Sequence, residues 1–325
     1  SLARSYRGHG LVSRVLLASP RGYCAGVERA VETVERTLEL YGAPVYVRKQ
    51  IVHNSHVVRE LEQRGAIFVD SVADVPEGAT LVFSAHGVSP AVRTAADARG
   101  LTTLDATCPL VTKVHTQARR FADRGYTIVL IGHAGHEEVE GTTGEAPDAI
   151  VLVESAAEAE SIELPPNVPL AYITQTTLSV DETHAIIAVL QRRFPSIEGP
   201  ATEDICYATT NRQRAVKELL GEVDVLLVVG SRNSSNSQRL VEVARAAGVP
   251  AHLIDDESEI DEGWLDDARV AGVTSGASAP ETLVRGVCAW FEARGVSDIR
   301  EYRSVYEDVV FRIPVELRRS EKSAA

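Results

Sequence analysis

The sequence predicts an α/β fold built from three similar α/β domains in a pseudo-threefold arrangement around one central site. Three observations predict it. β-Branched runs alternate with amphipathic stretches along the whole chain, three cysteines each open a helix-like stretch, and two polar clusters follow each cysteine at matched offsets. At 325 residues the chain exceeds one minimal folding unit, and 44% hydrophobic with 24% charged residues is an ordinary globular balance.

The strand-like runs come first. They include Val15-Leu-Leu-Ala18, Pro44-Val-Tyr-Val47, Thr80-Leu-Val-Phe83, Thr127-Ile-Val-Leu-Ile131, Val225-Leu-Leu-Val-Val229 and Arg269-Val-Ala-Gly-Val273. Most lead through a polar loop into a helix-like stretch, the pattern of parallel βα units. Cys24, Cys108 and Cys206 each stand at the mouth of such a stretch. A second polar cluster follows 29, 28 and 29 residues later, at His53, His136 and Ser235. A third follows at offsets of 62, 68 and 72, at His86, Thr176 and Ser278. In parallel sheets, functional groups gather where strand ends meet helix N-termini, so three facing units would bring nine loops to one centre. The repeat divides the chain into domains at 12–107 (Cys24), 108–205 (Cys108) and 206–300 (Cys206), with a tail at 301–325. The tail's end, Arg318-Arg-Ser-Glu-Lys322, reads as loose.

Charge and hydropathy exclude several functions. The 33 basic and 46 acidic residues give a net charge of −13, which disfavours nucleic acid and anionic lipid as partners. No apolar run approaches the ~18 residues of a membrane span. Leu11 to Leu17 is broken by Arg14 and reads as a flexible lead-in followed by a strand, not a signal peptide. The chain has no methionine, and its start reads as processed or trimmed. A cytoplasmic location is expected.

Four cysteines are too few for a disulfide framework. Taken singly, each is more often a buried core thiol, and Cys288, in an apolar stretch outside the repeat, is assigned to the core. The other three are far apart in sequence, which rules out a local metal knuckle. Two metal readings remain open on spacing alone: a zinc with His133 or His136 as fourth ligand, or a 4Fe–4S cluster on three thiolates with one iron free for substrate. The hydroxyls and imidazoles of the second and third loops suit a phosphate or diphosphate at helix N-termini. Glu138 is the natural general acid among them, with Glu137 and Glu140 as competitors.

The motifs are specific. They are Pro20-Arg-Gly-Tyr-Cys24-Ala-Gly-Val, Ile51-Val-His53-Asn, Ser84-Ala-His86-Gly, Asp105-Ala-Thr-Cys108-Pro-Leu-Val, Gly135-His136-Glu-Glu138-Val-Glu-Gly-Thr, Thr174-Gln-Thr176-Thr-Leu-Ser, Asp204-Ile-Cys206-Tyr-Ala-Thr, Ser234-Ser-Asn236-Ser and Gly276-Ala-Ser278. From about Val15 to about Glu281 the chain resembles the 4-hydroxy-3-methylbut-2-enyl diphosphate reductases of non-mevalonate isoprenoid synthesis, without departure at these positions. The resemblance implies three α/β domains around a central 4Fe–4S cluster ligated by Cys24, Cys108 and Cys206. It implies a substrate whose allylic hydroxyl meets the open iron and leaves as water with two electrons and two protons, giving isopentenyl and dimethylallyl diphosphate. It assigns His53, His86, His136, Ser234, Ser235, Asn236 and Ser278 to the diphosphate. Glu138 would supply the proton, with Thr176 at the substrate and in its relay. The electrons would come from a ferredoxin or flavodoxin-type donor, since no G-x-G-x-x-G follows a strand. Two rival readings are a quinolinate-synthase-like cluster enzyme, which would call for more arginine in the central loops, and a non-catalytic iron–sulfur or metal-binding sensor or scaffold, which would not need Glu138 and Thr176.

Overall fold

The structure, a computed structural model, describes residues 12–319; the expected lead-in up to residue 11 and the end of the tail from residue 320 lie outside them. Twelve strands form among the described residues: β1 (Arg14–Ser19), β2 (Val45–Arg48), β3 (Ala66–Val69), β4 (Thr80–Phe83), β5 (Thr102–Asp105), β6 (Thr127–Ile131), β7 (Ile150–Val153), β8 (Leu170–Thr174), β9 (Val225–Val229), β10 (Ala251–Ile254), β11 (Val270–Ser275) and β12 (Asp298–Arg303). They build three sheets, ordered β10-β9-β11-β1-β12, β3-β2-β4-β5 and β7-β6-β8. Every strand pairing is parallel, as the βα alternation requires.

Parallel sheets carry helices on their faces, so central strands read as unbroken apolar runs. All five residues of β9 are buried, and side-chain alternation sends them to opposite layers. Val225, Leu227 and Val229 join Val15, Leu17 and Phe291 in one core, while Leu226 and Val228 join Leu16, Ala18 and Leu240 in another. In the three-stranded sheet Val129 and Ile131 face one core and Ile128 and Leu130 the other. Each fully buried Leu or Val of this kind contributes about 1.5–3 kcal/mol.

Two compact units divide the chain. One takes the chain up to Tyr23 with Asn211–Asp308; the other takes Cys24–Thr210 with the stretch from Val309 onward. β1, within the 12–107 segment of the sequence, pairs with β11 and β12, so the five-stranded sheet belongs to the first unit. The second unit holds the other two sheets. Part of the 301–325 tail is ordered structure: β12 runs to Arg303 and a short helix spans Val315–Arg319. Between β8 and the Cys206 turn the described residues form no further strand, only one bridge, Ala171 with Glu198. Gly199-Pro200 follows that bridge, and proline has no N–H to extend a ladder.

Candidate active site

The three cysteines lie in the second unit, and each of their turns opens a helix. Cys24 caps Ala25–Tyr41, Cys108 caps Pro109–Asp123 with proline at the first position, and Cys206 precedes Tyr207–Leu219. The first helical bonds run to the cysteine carbonyls, from Glu28, Thr112 and Thr210 N–H at 3.0 Å in each case. A helix N-terminus favours negative charge, which suits a thiolate there. Burial, then Cys24, pushes the Cys108 thiol up to about 12. The same two causes push Cys206 to about 11, against Thr209, whose N–H donates to Sγ at 3.4 Å. A Cβ added at Gly26 would stand 2.7 Å from Cys108 Sγ and 3.8 Å from Cys24 Sγ, so glycine is what leaves room for the two sulfurs. Three half-buried thiols, two of them raised by burial and by Cys24, fit a bound cationic metal group, which draws off their protons.

The imidazoles gather in the same unit. His53 follows β2, beside Asn54, whose side chain caps the helix Ser55–Gln63. His86 follows β4, at a turn where Gly87 has φ +81°. His136 caps Glu137–Thr143, its Nδ1 accepting from Glu138 N–H at 3.2 Å. The rings of His53 and His86 stack at 4.0 Å, and His136 meets them edge-on at 5.5 and 5.8 Å. Burial, then His86, lowers His53; burial with His86 and His53 lowers His136 to about 3, in keeping with a neutral ring whose Nδ1 accepts. Glu137 Oε2 lies 3.1 Å from His86 Nδ1 and Oε1 lies 3.6 Å from His53 Nε2. Burial works against its charge, but the two imidazoles outweigh it and hold the carboxylate far below its usual range. One atom each from His53, His86 and Glu137 lies within 4.8 Å of the others, a donor set that a divalent cation could also accept.

Glu138, 2% exposed, turns elsewhere. Its Oε1 accepts from Thr176 N–H at 2.7 Å and its Oε2 from the Thr176 hydroxyl at 2.9 Å. Burial nevertheless dominates and raises the carboxyl to about 7. It is thus a carboxyl raised toward neutral pH, as a proton donor needs, and near enough to Cys206 to oppose its ionisation.

The second unit thus brings together eight expected residues: the three cysteines, three histidines, Glu138 and Thr176. The other four lie in the first unit. Ser234 caps Ser235–Ala246, its Oγ accepting from Ser237 N–H at 3.3 Å. Asn236 Oδ1 accepts from Ala277 N–H at 2.8 Å, tying that helix to the loop of Ser278. Ser237 belongs to this cluster and sequence reasoning passed over it. Its hydroxyl would sit 2.2 Å from a Cβ at Gly230 and 2.0 Å from one at Gly276, so two glycines near it were the available signal. Glu137 was ranked only as a rival acid; its place is between two imidazoles.

A family model described as LytB protein matches residues 15–292. A relative from Acidothermus cellulolyticus, 4-hydroxy-3-methylbut-2-enyl diphosphate reductase, is 61% identical over 95% of this chain and 92% of its own length. The solved structure of the E-1-hydroxy-2-methyl-but-2-enyl-4-diphosphate reductase from Plasmodium falciparum superposes with a TM-score of 0.93 at 39% identity, covering 96% of this chain and 99% of the other. A second structure, of the reductase titled the terminal enzyme of the non-mevalonate pathway, gives 0.60 at 29% identity over 87% and 100%.

Proposed function

The chain belongs to the LytB protein family and, like its relatives, is a reductase of 4-hydroxy-3-methylbut-2-enyl diphosphate in the non-mevalonate pathway; on that premise we propose how its residues carry the reaction. The allylic C–O bond breaks, two electrons and two protons enter, and water leaves with isopentenyl or dimethylallyl diphosphate. Cys24, Cys108 and Cys206 hold a 4Fe–4S cluster. When bound, that cluster would supply the electrons and Lewis-acid chemistry for the leaving hydroxyl. His53, His86 and His136 bind the diphosphate; the resemblance assigns Ser234, Ser235, Asn236 and Ser278 to diphosphate binding as well. Glu138 gives a proton to the departing hydroxyl, and Thr176 holds its carboxyl and accompanies the proton relay. The burial that keeps Glu138 protonated also keeps water from competing for that proton. A ferredoxin or flavodoxin-type protein delivers the electrons. Thiolate ligation needs reduced cysteines, which supports a cytoplasmic location.

The observation that carries this reading is a buried carboxyl, Glu138, gripped by Thr176 in the same unit as the three cysteines. It is tested by anaerobic iron and sulfide content with electron paramagnetic resonance before and after adding the diphosphate. Four irons and four sulfides per chain, and a spectrum altered by substrate, are expected. A colourless protein holding zinc would overturn the reading.

A further inference from the structure

Behind each cysteine, five or six residues along its helix, stands a cation: Arg29, Lys113 and Arg212. Arg29, on the helix opened by Cys24, donates to the carbonyls of Thr107 at 2.9 Å and Asp105 at 3.2 Å, in the turn entering Cys108. Lys113, on the helix opened by Cys108, donates to the carbonyls of Thr202 at 2.9 Å and Glu203 at 2.8 Å and pairs with Asp204 at 3.1 Å, in the turn entering Cys206. Arg212, on the helix that follows Cys206, is wholly buried and donates to the carbonyls of Gly22 at 2.7 Å and Tyr23 at 3.4 Å, in the turn entering Cys24. A further bond joins the last pair of turns, since Tyr207 Oη accepts from Ala25 N–H at 3.2 Å.

The three clasps run in one sense and return to their start. We propose that Arg29, Lys113 and Arg212 are positioning residues that form a closed ring, each locking the backbone that presents the next sulfur, so that the three thiols are spaced before the metal group binds. Apart from that of Asp105, which ends β5, the carbonyls they bind lie in loops, and a cation fixes both their direction and the turn. The inference rests on the cluster reading above.

The test compares Lys113→Met, Arg29→Met and Lys113→Arg with the unaltered protein, all purified anaerobically and reconstituted with iron and sulfide. Iron release to a chelator is followed with the cluster's paramagnetic spectrum, and the melting temperature of each metal-free protein is measured alongside. Ligand-supporting partners commonly change metal retention by about 10–100-fold. Both Met variants should therefore release iron about tenfold faster or more, with an altered spectrum and a metal-free melting temperature close to the original. Lys113→Arg should restore retention. Unchanged release in the Met variants, or faster release matched by a collapse of the metal-free fold, would overturn the ring. Failure of the unaltered protein to take up iron would instead sink the cluster reading, independently of the variants.

Discussion

On one side of the first turn of the helix Glu137–Thr143, three imidazoles gather; on the other lies the backbone turn of Thr176. Glu137 faces the first region and Glu138 the second, and the same carboxyl group ends in opposite states. Two imidazoles outweigh burial at Glu137 and keep it ionised. One amide and one hydroxyl do not outweigh fuller burial at Glu138, which is raised to about 7. Neighbouring carboxyls are separated into a fixed charge and a proton donor by what surrounds them, not by their own chemistry.

The largest break in this contrast is Glu138→Gln. Single-turnover reduction with a dithionite-type reductant should fall ~10²–10⁴-fold while cluster content and substrate binding persist. An unchanged rate would remove Glu138 from the acid's role. The next effect is on pH. The folded value near 7 lies above the ordinary 4.5, so this contribution to stability is complete below 4.5 and is lost as pH rises through about 7. Denaturant unfolding of the metal-free protein at stepped pH should show a loss on the order of 3 kcal/mol across that window. Glu138→Gln should flatten the curve, and parallel curves for the two proteins would contradict the raised value.

Thr176→Val removes one hydroxyl from the Glu138 carboxylate and leaves the amide bond. Turnover should drop about tenfold, the weight of one hydrogen bond to a charged group. The alkaline limb of kcat/KM should also move upward in pH, because the ionised form loses a partner. An unmoved limb would separate Thr176 from the titrating group. Glu137→Gln is the mildest. It takes the carboxylate from His53 and His86 and leaves the acid in place, so KM should rise only about fivefold, with kcat little changed. A fall in kcat equal to that of Glu138→Gln would erase the contrast.

Much of this was legible in the chain. β6 and β9 are read to the residue because strands covered on both faces carry no polar interruption. The cysteine turns are legible because a lone thiol recurs where a polar turn opens a helix. The partners of β1 are not, because an apolar run states that a strand is buried and not which strand lies beside it. Glu137, Glu138 and Glu140 are equivalent in sequence. What ranks them is helix phase against His53, His86 and Thr176, supplied by loops far away in the chain. The motif matches, and not the periodicity, gave His136 and Ser278 their roles. Arg29, Lys113 and Arg212 pass for ordinary helix charges until the carbonyls opposite them are known.

The placement of β1 has a consequence for the chain as it is made. Its Arg14 pairs with Val270 and Asp298, residues synthesised roughly 13–60 s later at ~5–20 residues per second. Both smaller sheets have all their strands by Thr174, before any of β9 to β12 leaves the ribosome. Among the described strands β1 is thus an apolar ribbon whose two neighbours are made long after it, and the turn of Cys24 hangs from it. A nascent chain halted between Thr174 and Val225 holds β2 to β8 complete and β1 unpaired, a natural substrate for a chaperone.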